Sequence, residues 1–367
     1  MNDDSTISTS ESVQIEPHPA LNTALCELTG IRYPIMQAGM GWVADGKLAA
    51  AASNAGILGM IGASTMSFEQ LANEIAYVKD HTTLPYAVNM RSDAPDVFER
   101  ADLMIKEGVK VATFALAPSE KLVKKLKDAG VICIPSIGAK RHADKLAGWG
   151  VDAVIVQGSE AGGHTGPIAT TVLLPQITNN VDIPVIAAGG FCDGGGLMAA
   201  LSFGAVGVNM GTRFLVTQES PVPDVIKAVY LEKQAGDTVV TSEIDGHPHR
   251  VLRTPFIDQL VNTPSWKSFP QAMMNALKLK QQTGMPISSM LKQGLEMRKQ
   301  YGYGWNQVIM AANTPVLLQK TMVEGEVDFG IISGGQVTGL INDIPSCHDL
   351  VQSIVHQANK VLEGFSL

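Results

Sequence analysis

The chain has 367 residues, of which 45% are hydrophobic and 17% charged, and this composition excludes an intrinsically disordered protein. Its 27 basic and 35 acidic residues give a net charge of −8, which argues against a nucleic-acid-binding or polybasic membrane surface. There are 36 glycines, about 10% of the chain against a usual ~7%, and they indicate many tight turns. We expect a soluble globular protein, longer than the ~250 residues of a simple (β/α)8 barrel.

The termini and the cysteines indicate the compartment. The first 20 residues are acidic and Ser/Thr-rich, lack the segments of a signal peptide, and predict a flexible tail over residues 1–20. No apolar run reaches the ~18 residues of a membrane helix. The four cysteines form no CxxC pair, which favours a reducing compartment over a disulfide framework or a zinc site. A cytoplasmic protein without membrane or nucleic-acid partners is expected; a homodimer is a possible assembly.

Eight short runs rich in Val, Ile and Ala follow in chain order, each followed by a helical pattern. They lie at residues 34–37, 56–62, 86–90, 111–116, 131–137, 153–157, 184–189 and 207–210. Ser67 and Ser119 stand where helix N-caps are expected. Runs that are apolar at nearly every position are typical of a parallel sheet covered on both faces.

The eight units predict an α/β fold, a closed (β/α)8 TIM barrel over residues 21–215. The alternative is an open doubly wound sheet, which usually carries a Gly-rich fingerprint after its first strand. Residues 37–41 lack that spacing. We therefore favour the barrel.

The roughly 150 residues after strand eight predict a mainly helical cap over residues 216–332, above the catalytic face of the barrel. Residues 268–322, rich in Lys, Gln, Met and Leu, predict several helices. Asp245-Gly246 is a hairpin turn signal between two strand-like runs. Residues 333–367 contain a Gly-rich return and an amphipathic helix near 346–363, and we expect them to pack on the barrel.

Glycines follow strands seven and eight, where such barrels often hold a phosphate. The residues at these two strand ends are Gly189, Gly190, Asn209, Met210, Gly211 and Thr212. Glycine lets backbone N–H groups approach an anion closely, and the Thr212 hydroxyl adds a donor. Either loop alone could contain its glycine for steric reasons, but together they predict a ligand with a phosphate tail.

The loop after strand six, residues 157–166, contains four glycines around one histidine, His164. A lone histidine is more often structural, but at the active face of a barrel we interpret it as a proton donor or acceptor. Glu160 could orient His164 or fix the loop by a hydrogen bond, and the second role is the expected one.

Other polar residues give weaker signals. His247 and His249 flank a proline at the hairpin, where their spacing could bind a metal. No third ligand is near them in the sequence, so we expect a solvated hairpin and predict no metal site. Gln37 and Asn89 end strands one and three, where a barrel places ligand contacts, although each could instead satisfy a buried backbone group.

Taken together, these segments resemble the nitronate monooxygenase family, formerly called 2-nitropropane dioxygenases. The matching segments are residues 33–40, 88–89, 157–164, 187–190 and 209–212. The Glu-Ala-Gly-Gly-His sequence at 160–164 is the most specific of them. The resemblance implies an FMN-dependent barrel with a helical cap.

The resemblance also implies roles for individual residues. It implies that Asn89, Gln157 and Gly162, with Gly163 beside them, contact the flavin ring or the ribityl chain. It implies that the flavin pocket is lined by Gln37, Ala38, Gly39 and Met40. It also implies that the FMN phosphate is held by Gly189, Gly190, Asn209, Met210, Gly211 and Thr212. His164 matches the active-site histidine, which takes a proton from a nitroalkane or positions a nitronate.

The implied reaction is oxidation of an alkyl nitronate with O2, giving nitrite and a carbonyl compound. The scaffold and the histidine loop are also similar to flavin-dependent enoyl-acyl carrier protein reductases. An FMN- and NAD(P)H-dependent enoyl thioester reductase is therefore the alternative. A flavin-binding barrel without turnover and a cofactor-free phosphosugar barrel are less favoured. Asn209 stands where many relatives carry Gln, and this departure leaves the substrate open.

Overall fold

Eight parallel strands form a near-closed barrel in this computed structural model, which describes residues 14–262, 314, 316–328 and 330–365. The two-residue strand β7, Gly163–His164, belongs to a separate three-stranded sheet. The barrel strands are β1 Ile35–Gln37, β2 Gly59–Gly62, β3 Tyr86–Met90, β4 Val111–Phe114, β5 Ile132–Ile137, β6 Val154–Gln157, β8 Val185–Ala188 and β9 Gly207–Met210. Each lies within one of the eight predicted runs. Neighbours along the chain pair in the sheet, β1 pairs with β9, and a parallel bridge from Met36 to Leu58 joins β1 to β2. The predicted TIM barrel is confirmed.

The helices of the barrel are α1 Ala24–Thr29, α2 Gly46–Asn54, α3 Phe68–His81, α4 Val97–Glu107, α5 Glu120–Asp128, α6 Lys140–Ala147, α7 Thr170–Thr178, α8 Gly194–Ser202 and α9 Thr212–Leu215. Most of them cover the outside of the barrel, whereas α1 contributes Leu25 and Cys26 to the interior cluster. Ser67 and Ser119 are N-caps as predicted, and Ser67 forms a capping box with Gln70. The apolar stripe of α5, for example Leu122 and Leu126, is fully buried against the sheet.

Two apolar layers hold the barrel together. Side chains alternate along each strand, so Ile35 packs in the outer layer under the helices while Met36 packs in the barrel interior. The interior is filled by residues such as Ile134, Ile155 and Ile186, all nearly inaccessible to solvent. A packed interior leaves the carboxyl ends of the strands as the place for a site.

The chain after the barrel contributes α10 Asp224–Glu232, the strands β10 Thr238–Thr241 and β11 His249–Leu252, and α11 Pro255–Asn262. The predicted hairpin is present, because β10 and β11 pair antiparallel around the Asp245-Gly246 turn. Most of the helices predicted over 268–322 lie outside the described residues. The cap boundaries at 216 and 332 stay a prediction.

The C-terminal helix, Cys347–Phe365, packs on α8, where the amide of Gly194 donates to Oε1 of Gln357 over 3.0 Å. The N-terminal segment lies on the same helix: the amide of Ile15 donates to Oε1 of Gln352 over 2.6 Å. The packed part of the chain thus begins before the predicted boundary at residue 20. No helix among the described residues is long and apolar enough to cross a membrane.

Candidate active site

Polar side chains form the top layer of the barrel interior. Alternation along β3, β6 and β9 directs Asn89, Gln157 and Asn209 inward, above the apolar filling. Nδ2 of Asn89 donates to Oγ1 of Thr113 over 2.9 Å. Oδ1 of Asn209 is buried and has no hydrogen-bond partner among the described residues. Because a buried unpaired acceptor is costly, this layer is suited to a ligand that supplies a donor.

The segment after β1 lies beside the end of β9. The amide of Ala38 donates to the carbonyl of Met210 over 3.0 Å. A Cβ built on Gly211 would lie 3.5 Å from Sδ of Met40 and 3.8 Å from Cβ of Ala38, which is ordinary contact. The predicted pocket and phosphate segments are therefore adjacent, and Gly211 has room above it.

Gln37 and Gly39 serve the packing of the barrel. Gln37 is fully buried, its Oε1 accepts from the amide of Met60 over 2.8 Å, and its Nε2 donates to the carbonyl of Ala38. A Cβ on Gly39 would lie 2.3 Å from Cβ of Asn89, so no larger residue fits there. The Gln37 amide is thus engaged within the barrel, the structural role that the sequence left open.

Two glycine loops meet at the ends of β8 and β9. Gly189 and Gly190 have φ of 86° and 91°, the left-handed region that favours glycine. A Cβ on Gly189 would lie 3.0 Å from the carbonyl oxygen of Gly158 in the histidine loop. Oγ1 of Thr212 accepts from the amide of Gly335 over 3.0 Å, so its own hydrogen is left to donate.

The Gly-rich return packs directly on the histidine loop. A Cβ on Gly162 would lie 2.6 Å from backbone atoms of Gly334 and Gly335. The amide of Gln336 donates to the carbonyl of Glu160 over 2.9 Å. The Gly-rich return therefore fixes the loop that carries the histidine.

The histidine loop also pairs with the hairpin. Gly163–His164 form a short strand, β7, that pairs antiparallel with β11, with His164 opposite His249 and Gly163 opposite Arg250. Nε2 of Gln157 donates to the carbonyl of His164 over 2.6 Å. The backbone of the histidine is thereby held from the barrel on one side and from the hairpin on the other.

The hairpin places a carboxylate against the histidine. Nε2 of His164 lies 2.6 Å from Oδ2 of Asp245, and the other oxygen of Asp245 accepts from the amide of His247 over 3.2 Å. The His164 side chain is 59% exposed, whereas that of Asp245 is 15% exposed. Among the described residues, none forms a hydrogen bond with Nδ1 of His164. The imidazole thus presents one nitrogen to the carboxylate, and its other nitrogen is left without a hydrogen-bond partner among the described residues.

His249 corrects the expectation of a solvated hairpin. It is buried at 3% exposure, and its Nε2 lies 2.9 Å from Oγ of Ser333. Its Nδ1 lies 3.7 Å from Oδ2 of Asp245, beyond hydrogen-bond distance. The expectation was wrong because β11 pairs with β7, which turns His249 inward while His247 stays exposed.

The charges of this cluster follow from its geometry. Burial raises the pKa of Asp245, but the hydrogen bond from His164 and the proximity of His249 outweigh burial and hold the pKa well below its usual range. Burial holds the pKa of His249 below its usual value despite the nearby carboxylate. An ionised Asp245 only accepts hydrogen bonds, so it keeps a proton on Nε2 of His164. A neutral His164 then has Nδ1 as its free acceptor.

Glu160 fixes the loop, as expected from the sequence. Its carboxylate accepts from the amide and from Oγ1 of Thr170, the latter over 2.7 Å, at the start of α7. Arg250 contributes from the hairpin, because its guanidinium donates twice to the carbonyl of Ser159. Within the described part of the chain, the group that orients His164 is Asp245 and not Glu160.

Two residues escaped the sequence reasoning. Asp245 was recognised only as part of a turn, and its Asp-Gly turn beside two histidines was the available signal. Trp42, after β1, has φ of 64°, an outlier for a bulky residue, and its indole Nε1 is buried without a partner among the described residues. No sequence pattern indicated this backbone strain at the active face.

Comparison with known proteins agrees with the fold and the motifs. A model of the nitronate monooxygenase family matches residues 22–357. A relative from Rhodococcus jostii strain RHA1 is named (3aS,4S,5R,7aS)-5-hydroxy-7a-methyl-1-oxo-octahydro-1H-indene-4-carboxyl-CoA dehydrogenase, and is 52% identical over 94% of this chain and 98% of its own. A probable nitronate monooxygenase from Staphylococcus saprophyticus is 34% identical over 65% of this chain and 81% of its own. The solved structure of FabK from Thermotoga maritima is 33% identical, with a TM-score of 0.77, over 94% of this chain and 98% of that one.

Proposed function

This chain belongs to the nitronate monooxygenase family, and we propose that it is a flavin-dependent dehydrogenase of a CoA thioester whose acyl group carries a fused-ring skeleton. The observation that carries the proposal is the similarity to the Rhodococcus jostii CoA thioester dehydrogenase, which extends over 98% of that protein. Similarity of this extent includes the barrel, the hairpin and the Gly-rich return, the three parts that build the site around His164.

The residues at the barrel mouth fit a flavin with a phosphate tail, FMN. The unpaired Oδ1 of Asn209 offers an acceptor to the ring system, and Asn89, Gln157 and Gly162 lie at the neighbouring strand ends. Gly189, Gly190, Gly211 and Thr212 would hold the phosphate, because Gly211 is not crowded and the Thr212 hydroxyl can still donate. Gly163, Asn209 and Met210 would complete the contacts, and Gln37, Ala38, Gly39 and Met40 would support the ring pocket. A bound flavin supplies the two-electron acceptor that a dehydrogenation requires.

His164 is the base in this proposal. The carbon next to a thioester carbonyl is acidic, and its proton must leave when a double bond forms to the next carbon. Asp245 holds the Nε2 proton of His164 and so leaves Nδ1 as the acceptor. The imidazolium that results is stabilised by the same carboxylate. One proton would thus go to His164, and a bound flavin would supply the acceptor for the second hydrogen and its electron pair.

Nitronate oxidation with O2 is the second candidate, and the Staphylococcus saprophyticus relative supports it. That relative has lower identity and matches only 65% of this chain, so it gives less support to a shared substrate. The enoyl thioester reductase implied by the sequence resemblance is the same bond change in the opposite direction. Both thioester reactions need His164 beside the carbon next to the carbonyl.

The substrate class is tested by the colour of the flavin. Purified flavin-loaded protein is mixed without O2 with a fused-ring acyl-CoA, with its free acid, and with an alkyl nitronate. We expect the thioester to bleach the oxidised flavin and to lose two hydrogens by mass spectrometry, while the acid and the nitronate leave the spectrum unchanged. Bleaching by the nitronate alone would replace this proposal by nitronate oxidation. A colourless protein that does not take up FMN would refute both.

A further inference from the structure

Three atoms of metal-binding type converge at the junction of the histidine loop and the hairpin. They are Nε2 of His164, Oδ2 of Asp245 and Nδ1 of His249, all within 4.8 Å of one another. The oxygen lies 2.6 Å from the His164 nitrogen and 3.7 Å from the His249 nitrogen. The two histidines are separated by 85 positions in the chain, so only the β7–β11 pairing brings them together.

His249 gives the independent sign of a missing ligand. Its side chain is 4% exposed, and Nδ1 has no hydrogen-bond partner among the described residues. An unprotonated Nδ1 would face the carboxylate oxygen repulsively, and a protonated one makes no hydrogen bond across 3.7 Å. A cation between Nδ1 of His249 and Oδ2 of Asp245 would be bound by both atoms. The other ring nitrogen lies 2.9 Å from Oγ of Ser333, the kind of second contact that orients metal-binding histidines.

We propose that His164, Asp245 and His249 bind one divalent transition-metal ion of the Zn²⁺ type. Two imidazole nitrogens and one carboxylate oxygen suit Zn²⁺, Co²⁺ or Ni²⁺, whereas Mg²⁺ and Ca²⁺ prefer sets of oxygen ligands. Bonds of about 2.0–2.1 Å in a tetrahedral site place ligand atoms about 3.4 Å apart. Relative to Oδ2 of Asp245, His164 would therefore withdraw by less than about 1 Å, which its exposed side chain allows, and His249 would approach by a few tenths. The two ring nitrogens, which lie within 4.8 Å of each other, would also close to about 3.4 Å.

The bound ion would inhibit the enzyme. When Nε2 of His164 binds a metal, the proton of the neutral imidazole resides on Nδ1, the nitrogen that has to accept the substrate proton. Asp245 is occupied at the same time and no longer orients the ring. This consequence rests on the proposed function, whereas metal binding itself does not.

Metal binding is measured on the flavin-loaded, chelator-treated protein without substrate. Isothermal titration with ZnCl2 should give one equivalent per chain, and MgCl2 should give no heat. His249→Gln should weaken Zn²⁺ binding about tenfold or more, and His356→Gln, an exposed histidine on the C-terminal helix, should leave it unchanged. Equal Zn²⁺ affinity in wild type and His249→Gln would overturn the proposal, as would the absence of a Zn²⁺ site in wild type.

A second measurement does not depend on the folding of a variant. X-ray absorption at the zinc edge of the wild-type complex should show two imidazole ligands and oxygen ligands at about 2.0–2.1 Å. A spectrum with sulfur ligands or a single imidazole would overturn the assignment. Loss of thioester turnover on adding ZnCl2 then tests inhibition separately: a full Zn²⁺ site with unchanged turnover would contradict His164 as the base but not the metal site.

Discussion

Replacing the carboxylate beside His164 is the sharpest perturbation that the structure offers. Asp245→Asn keeps the size of the side chain but removes the negative charge that lies 2.6 Å from Nε2 of His164. An amide can present its NH2 group to that nitrogen, which favours the tautomer with the proton on Nδ1. The variant therefore loses both the orientation of the base and the stabilisation of the imidazolium.

The size of the effect follows from the contact. A hydrogen bond to a charged group contributes about 1.5–3 kcal/mol. His164 is 59% exposed, and solvent screening places the value in the lower part of that range. A loss of about 1.5–2 kcal/mol corresponds to roughly a 10- to 30-fold lower rate of thioester oxidation.

The assay is single-turnover bleaching of the flavin by the acyl-CoA, followed without O2 over a range of pH. Glu243→Gln is the matched control, because it removes one negative charge from the same hairpin and its side chain makes no hydrogen bond with a described residue. We expect the control to stay within about twofold of wild type, the scale of a surface change. An Asp245→Asn rate equal to that of the control, with flavin still bound, would refute the role of Asp245.

Three further variants test other parts of the site. In Gly211→Ala the new methyl group makes only ordinary contacts, so we expect an unchanged Tm. We also expect about tenfold weaker FMN binding by fluorescence titration, since the methyl group covers the proposed phosphate position. The control Gly148→Ala, at the opposite end of the barrel, should keep both the Tm and the FMN affinity of wild type. Gly162→Ala would place Cβ 2.6 Å from a backbone atom of Gly335, so we expect the free energy of unfolding measured in urea to fall by about 1–3 kcal/mol. Unchanged stability would contradict tight packing of the Gly-rich return on the histidine loop. The pKa of His249 lies below its usual value, so the unfolded chain takes up a proton below about pH 6.5 before the folded protein does, and the stability of wild type falls as the pH drops. The Tm of His249→Gln should therefore fall less than that of wild type between about pH 7.5 and pH 5. Equal slopes of Tm against pH would contradict a buried neutral imidazole.

The barrel was predictable because its signal is local and repeated. Each strand is a short apolar run, and caps such as Ser67 mark where a helix begins. His164 was recognisable for a similar reason, since its glycine loop lies at the carboxyl end of β6. The positions of Asn89 and Asn209 followed from the same rule.

The partners of His164 were not predictable in this way. Asp245 and His249 belong to a hairpin more than 80 positions later, and its attachment to the histidine loop depends on the two-residue pairing of β7 with β11. A strand of two residues has no hydropathy pattern. For the same reason the sequence did not show that His164 lies opposite His249, on the neighbouring strand.

The rate of flavin bleaching by a fused-ring acyl-CoA in His164→Ala tests the central claim most directly. General-base catalysis contributes about 10²–10⁴ in rate, and Nδ1 of His164 is the acceptor that the geometry leaves free. We predict that the variant binds FMN as wild type does and that its bleaching rate falls by about 10² or more. A bleaching rate within about tenfold of wild type, with FMN bound, would contradict the assignment of His164 as the base.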